Sequence, residues 1–366
     1  MQIGLITSYL ESIAPLAYQE SYDNSGLLTG QAGQECTGIL CTLDATVEIV
    51  REAKARGCNL IVAHHPILFK GITRLTGKNY VEQALIEAIK NDIAIYAIHT
   101  NLDNVANGVN AVIAAKLGLI HTRILLPKNN DLVKLITFAP LKEREQLLNA
   151  LFRAGAGQIG EYSETSFSTA GTGTFKGSEQ TNPYVGTPGI RHEEPETRIE
   201  VILPAHQKQP VLNALLEAHP YEEVAYDFIP LLNANQQVGS GMIGELPEPV
   251  PEMAFLQQIQ AAFGLKLIKH TPVLGKNVQK VAICGGAGSF LISTAKAAGA
   301  SFFISSDIKY HEFFDAENRM VIADIGHWES EQYTIDLLFS LLNSKFPNFA
   351  VLKTAINTNP VRYFIG

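Results

Sequence analysis

Along the first third of the chain, short apolar runs alternate with segments whose apolar residues recur at helical spacing. Thr37-Gly-Ile-Leu-Cys-Thr-Leu43 has the pattern of a buried strand, and Thr46 to Arg56 follows with helical periodicity. Asn59-Leu-Ile-Val-Ala63 followed by Tyr80 to Lys90 repeats the pair. Asp92-Ile-Ala-Ile-Tyr-Ala-Ile98 followed by Gly108 to Lys116 repeats it again. Strand-then-helix repetition predicts βαβ units, hence a largely parallel sheet covered by helices.

After about residue 127 the rhythm changes. Asp131 to Phe138 reads as a strand and Lys142 to Arg153 as an amphipathic helix. Gly155 to Thr187 is rich in Gly, Ser and Thr and reads as β-ribbon or loop. Arg198-Ile-Glu-Val-Ile-Leu-Pro204 is a strand, Gln209 to His219 a helix, and Tyr226-Asp-Phe-Ile-Pro-Leu231 a closing strand. The order β-α-ββ-α-β predicts a separate α+β module of ferredoxin-like kind over 128–235. The βα rhythm then resumes. Lys280-Val-Ala-Ile-Cys284 feeds Gly285-Gly-Ala-Gly-Ser289 and a helix through Ala298. Ser301-Phe-Phe-Ile-Ser305 precedes a helix near Tyr310, and Met320-Val-Ile-Ala-Asp-Ile325 precedes a long helix from Glu329 to Ser344. The expectation is one α/β core of two similar halves, 1–127 and 236–366, interrupted by the α+β insert.

Composition narrows the partners. Across 366 residues, 46% are hydrophobic and 17% charged, with a formal net charge of −8. A mean hydropathy of +0.08 suggests an ample core or large buried subunit interfaces. The negative charge argues against a protein that tracks a nucleic-acid backbone. No run is long enough for a membrane-spanning helix, and the amino terminus lacks the basic region and apolar run of a secretory signal. Cys36, Cys41, Cys58 and Cys284 form no C-x-x-C pair. They read as reduced thiols of a cytoplasmic protein, without the close spacing of a thiolate metal site.

The chemistry sits at strand ends, where open α/β sheets place their ligands. His64-His65-Pro66 follows the second strand, His99-Thr-Asn-Leu-Asp103 the third, and His327-Trp-Glu-Ser-Glu331 the last. Imidazole and carboxylate are the ligands of zinc, iron and manganese. His327 and Glu331 stand one helical turn apart, so one helix can aim both at one point. Adjacent side chains in extended chain point apart, so His64 and His65 do not share one ion comfortably. Two divalent ions per chain are the simpler solution, bridged by Glu331 or a water at ~3.5–4 Å. The predicted ligands are therefore His64, His65, Asp103, His327 and Glu331. His99 is a candidate proton carrier or a residue that orients a ligand, and His311 a candidate acid or base against the alternative of an ordinary helix-surface histidine. Gly285, Gly286, Gly288 and Ser289 form either an anion-cradling loop or a tight βα turn. They match neither the dinucleotide fingerprint nor the phosphate-binding loop.

With these motifs the sequence resembles the Nif-three-like family, whose members are often called GTP cyclohydrolase I type 2 homologues. Six stretches carry the resemblance: Tyr22-Asp-Asn-Ser-Gly-Leu27, Ala63-His-His-Pro-Ile-Leu-Phe69, Tyr96-Ala-Ile-His-Thr-Asn-Leu-Asp-Asn104, Gly285-Gly-Ala-Gly-Ser289, Ser306-Asp-Ile-Lys-Tyr-His311 and Asp324-Ile-Gly-His-Trp-Glu-Ser-Glu331. The resemblance implies a two-metal α/β fold with its ligands on His64, His65, Asp103, His327 and Glu331. It implies an insert like the PII or CutA modules, and a toroidal homohexamer built as a trimer of dimers. It also implies a metal-dependent hydrolase that opens a purine ring with metal-bound hydroxide, with a nucleotide as ligand. A phosphoesterase and a non-catalytic, regulatory metal-binding assembly are the other readings. Two departures from the family pattern stand out: Tyr22 replaces the common Trp, and Ser306 the common Gly.

Overall fold

The computed structural model describes residues 1–364. The chain divides into two compact units, Met1–Leu126 with Val238–Gly366, and Pro127–Gln237.

The first stretch of the larger unit runs α1 (Ile3–Ile13), β1 (Gly26–Thr29), β2 (Ile39–Thr42), α2 (Val47–Ala55), β3 (Leu60–Ala63), α3 (Tyr80–Lys90), β4 (Ala94–Ala97), α4 (Thr100–Asp103), α5 (Val109–Lys116) and β5 (Ile120–Lys128). Every residue of β2, β3 and β4 is buried, which is why each reads as an unbroken apolar run rather than an alternating one. Thr46 and Asn79 start α2 and α3 by accepting the backbone N–H of Ile49 and Glu82.

The smaller unit contains β6 (Leu132–Pro140), α6 (Arg144–Arg153), β7 (Ser166–Phe175), β8 (His192–Pro204), α7 (Lys208–Ala218) and β9 (Tyr226–Pro230). Its sheet is ordered β7-β8-β6-β9, and all three strand pairs are antiparallel. Alternate residues Val133 and Leu135 of β6, and Ile199, Val201 and Leu203 of β8, join Leu147 and Leu151 of α6 and Val211 and Leu215 of α7 in one core. Period-two burial on the strands and helical burial on α6 and α7 thus cover one face of the sheet.

The larger unit resumes with β10 (Asn235–Pro251), α8 (Glu252–Phe263), β11 (Lys269–His270), β12 (Asn277–Ala287), α9 (Ile292–Ala297), β13 (Phe302–Ser306), β14 (Val321–Asp324), α10 (His327–Glu331), α11 (Thr334–Lys345) and β15 (Val351–Lys353). Its two sheets are ordered β1-β4-β3-β2-β15 and β11-β14-β13-β12-β10-β5. In the first, β4, β3, β2 and β15 are parallel and β1 closes one edge antiparallel. In the second, β12, β13 and β14 are parallel, with antiparallel neighbours β10 and β11. A single large core, including Leu60, Tyr96, Val109, Phe302 and Leu338, runs through both halves.

Two departures from the sequence reading bear on the site. The long helix expected over 329–344 is two helices, α10 and α11, so His327 and Glu331 occupy a five-residue helix of their own. The helix expected near Tyr310 is a 3₁₀ turn, Tyr310–Ala316.

Candidate metal centre

The parallel strands of both sheets end at the same place. His64 and His65 follow β3, His99 and Asp103 follow β4, and α10 with His327 and Glu331 follows β14. Their ligand atoms form overlapping groups within 4.8 Å: His65, His327 and Glu331; His64, Asp103 and Glu331; His64, His65 and His99. Glu331 belongs to the first two. The structure thus brings together all five expected ligands, with His99 beside them at 5.3 Å between ring centres from both His64 and His65.

Each imidazole is held by Nδ1. His64 Nδ1 lies 2.9 Å from the Ile98 carbonyl oxygen, which only accepts, so Nδ1 carries the proton. His65 Nδ1 is held by Asp44 at 2.8 Å, His99 Nδ1 by Asp23 at 2.8 Å, and His327 Nδ1 by Asp307 at 2.6 Å. Partners of this kind fix the ring and leave Nε2 as the donor atom for a metal. Asp44, Asp23 and Asp307 were not singled out as site residues by sequence. Asp23 and Asp307 fall within two of the stretches that carry the family resemblance, whereas Asp44 lies in none of them.

The donor set fits divalent cations. His64 is wholly buried, and its Nε2 has no hydrogen-bond partner; neither has the buried Asp103 Oδ1. These two acceptors face each other at 3.6 Å, and His64 Nε2 stands 3.8 Å from Glu331 Oε1. Two buried acceptors converging in this way are costly unless a proton or a cation joins them. On the other side, His65 Nε2 and His327 Nε2 lie 2.9 and 3.2 Å from Glu331 Oε2. Burial and the neighbouring Glu331 carboxylate push Asp103 up to about 8. Burial opposes charge on Glu331, but the imidazoles of His327, His64 and His65 hold it well below the usual carboxylate range. Burial likewise opposes charge on His65 and His327, yet hydrogen bonds to Asp44 and Glu331 raise His65 to about 9, and bonds to Asp307 and Glu331 raise His327 to about 11. Protons on these rings supply the positive charge that the buried carboxylates require.

The C-terminal segment braces this arrangement. Thr358 Oγ1 donates to Asp44 Oδ2, while Asn359 Nδ2 and Tyr363 Oη hold Glu329 of α10 at 3.0 and 3.1 Å.

Two amides of the glycine loop are engaged within the fold. The Gly285 N–H donates to Asn110 Oδ1 and the Gly286 N–H to Ser330 Oγ, both at 3.0 Å. Those two amides are taken. Gly286 has φ +62°, and a Cβ there would stand 2.4 Å from Glu331 Oε1, so the glycine makes room for the shared carboxylate. A Cβ at Gly288 would strike Ser305 and Cys284, and Ser289 opens a 3₁₀ turn. His311 is exposed among Tyr310 and Phe314 and is not part of the wall of the cavity above the ligands. That cavity holds about 370 Å³ and is rimmed by the exposed rings of Tyr22, Phe69, Tyr80 and Phe290.

Comparison with known proteins gives a consistent answer. Residues 1–360 match the family Duf34/NIF3 (NGG1p interacting factor 3). A GTP cyclohydrolase 1 type 2 homolog of Halalkalibacterium halodurans is 35% identical over 363 residues, 98% of each chain. One of Bacillus subtilis is 32% identical over 98% of this chain and 97% of its own. The crystal structure of a Bacillus cereus protein related to NIF3 superposes with a TM-score of 0.86 at 34% identity, covering 100% of this chain and 99% of that one.

Proposed function

This chain belongs to the Duf34/NIF3 family, and on that premise we propose that it is a two-metal protein acting as a hydrolase of the GTP cyclohydrolase kind. One observation carries the reading: two ligand groups, His64 with Asp103 and His65 with His327, share Glu331 between them. A pair of divalent ions there, zinc, iron or manganese, would polarise a substrate oxygen and lower the pKa of bound water toward neutrality. The chain's own residues do the rest. Asp23 holds the His99 ring at Nδ1, which leaves Nε2 to move a proton. Tyr22, Phe69, Tyr80 and Phe290 offer ring faces to a flat heterocycle and exclude water around it.

A non-catalytic, regulatory metal-binding assembly is the second reading. It is favoured by the engaged amides of Gly285 and Gly286 and by the place of His311 outside the cavity wall, which leave His99 as the one expected acid–base residue lining the cavity. The insert, in this proposal, is a ferredoxin-like module of the PII or CutA kind. Its chain order β-α-β-β-α-β and sheet order β7-β8-β6-β9 support that reading. The family resemblance and exposed apolar residues such as Leu5 and Leu232 support a toroidal homohexamer, and four free, buried cysteines support a cytoplasmic setting.

The test is turnover by metal-loaded protein, with metal content verified by elemental analysis, against GTP and a panel of phosphoesters. The proposal expects turnover of GTP that is lost in His65→Ala and Glu331→Ala but kept in an exposed control, Glu179→Ala. Full metal occupancy with no turnover of any compound overturns the hydrolase reading and leaves the second one.

A further inference from the structure

The smaller unit carries a cavity of its own, about 600 Å³, at the end of its sheet where β7 finishes and β8 begins. Its origin lies in two glycines. Gly171 and Gly173 occupy alternate positions of edge strand β7, so both leave the same face bare, and they pair with Glu196 and Glu194 of β8. Glu196 leans across this gap: a Cβ on Gly173 would lie 2.0 Å from Glu196 Oε2. Rings complete the wall. Tyr221 lies 6.3 Å from Phe175 and 6.1 Å from Tyr184 between ring centres.

The charge of this wall is negative where it is buried. Glu196 is 8% exposed and accepts the Tyr221 hydroxyl at 2.8 Å. Burial, together with Glu196 beside it, pushes the Tyr221 hydroxyl up, so it stays a donor and Glu196 an acceptor. Glu222 and Glu223 add two carboxylates. Against these three stand Arg198 and Lys176, and Arg198 is bound by Glu200 at 2.9 Å. The chain's own cations already sit over two of the rings nearby, Arg198 Cζ 5.9 Å from the centre of Phe138 and Lys142 Nζ 4.9 Å from that of Tyr184. A buried carboxylate flanked by aromatic faces repels anions and recognises alkylated or primary ammonium groups. The volume falls within the roughly 300–1,000 Å³ of small-molecule sites.

We propose that this cavity is a binding site for a small organic ammonium compound, with Glu196 countering its charge and the rings of Phe175 and Tyr221 covering its alkyl groups. The site lies wholly within the insert and does not depend on the metal reading.

Calorimetric titration of the full-length chain with choline, and with its uncharged carbon isostere 3,3-dimethylbutan-1-ol, separates charge from shape. Choline binds saturably at one per chain, and the isostere binds at least about tenfold more weakly. Glu196→Gln weakens choline by about tenfold and leaves the isostere unchanged. Gly171→Leu guards against a folding failure of that variant. A Cβ at Gly171 meets no atom within 4 Å, so the leucine side chain starts into open space on the cavity face, and the substitution abolishes choline binding in a folded protein. Equal binding of choline and isostere, no saturable binding of choline, or unchanged choline binding in both variants overturns the proposal.

Discussion

The two ligand groups that share Glu331 are built differently. On the inner side, His64 is wholly buried and its Nδ1 is held by a backbone carbonyl of the sheet, Ile98. On the outer side, His327 is 38% exposed and depends on Asp307, itself more than half exposed, while His65 depends on Asp44. The inner site is fixed by strand geometry that the core enforces. The outer site is fixed by side chains that other side chains, including Thr358, keep in place. The account therefore predicts two ions of unequal tenacity, the outer one leaving first.

The largest effect expected is from Glu331→Gln, which removes the shared charge and empties both positions, read by elemental analysis of protein whose fold is checked by circular dichroism. Next, His64→Ala and His327→Ala each leave one ion per chain. In the wild type, timed exposure to a chelator removes one ion quickly and the other slowly; simultaneous loss would erase the inner–outer distinction. Gly286→Ala places a non-glycine residue at φ +62° against Glu331, which costs about 1–2 kcal/mol of stability from the backbone alone and weakens both ions together. Denaturant unfolding with and without metal measures both parts. Asp307→Asn keeps the size of the side chain that orients His327 and lowers affinity for the outer ion by about 10–100-fold, with the inner ion unaffected in a metal competition titration. The smallest effect is that of Thr358→Val, which removes one hydrogen bond to Asp44 and costs about 0.5–1.5 kcal/mol, roughly two- to tenfold in outer-ion affinity.

The same contrast explains what could be read from sequence. Central strands β2, β3 and β4 are buried on both faces, so they must be apolar throughout, and polar residues at their ends stand out. That is why His64, His65, His99 and Asp103 were visible as one set. His327 and Glu331 were visible by their spacing, although the break between α10 and α11 was not. The supporting carboxylates stayed hidden because one Asp just before or after a strand is commonplace and only the fold places it beside a ring. Gly285 and Gly286 were ambiguous for a related reason. A glycine whose N–H is free for an anion and one whose N–H is already bonded have the same sequence, and Asn110 and Ser330, which engage these two amides, lie far away along the chain. Strand β10 escaped notice because Gly239, Gly241, Gly244, Pro247 and Pro249 break every strand pattern, and its register against β12 is irregular to match. The five-residue α10 was too short for periodicity to resolve.

Anomalous diffraction from crystals grown with zinc addresses the sharing of Glu331 most directly. The account predicts two peaks, one beside His64 and Asp103 and one beside His65 and His327, with the Glu331 carboxylate between them. A single peak in wild-type protein at saturating zinc, or two peaks neither of which contacts Glu331, would contradict it.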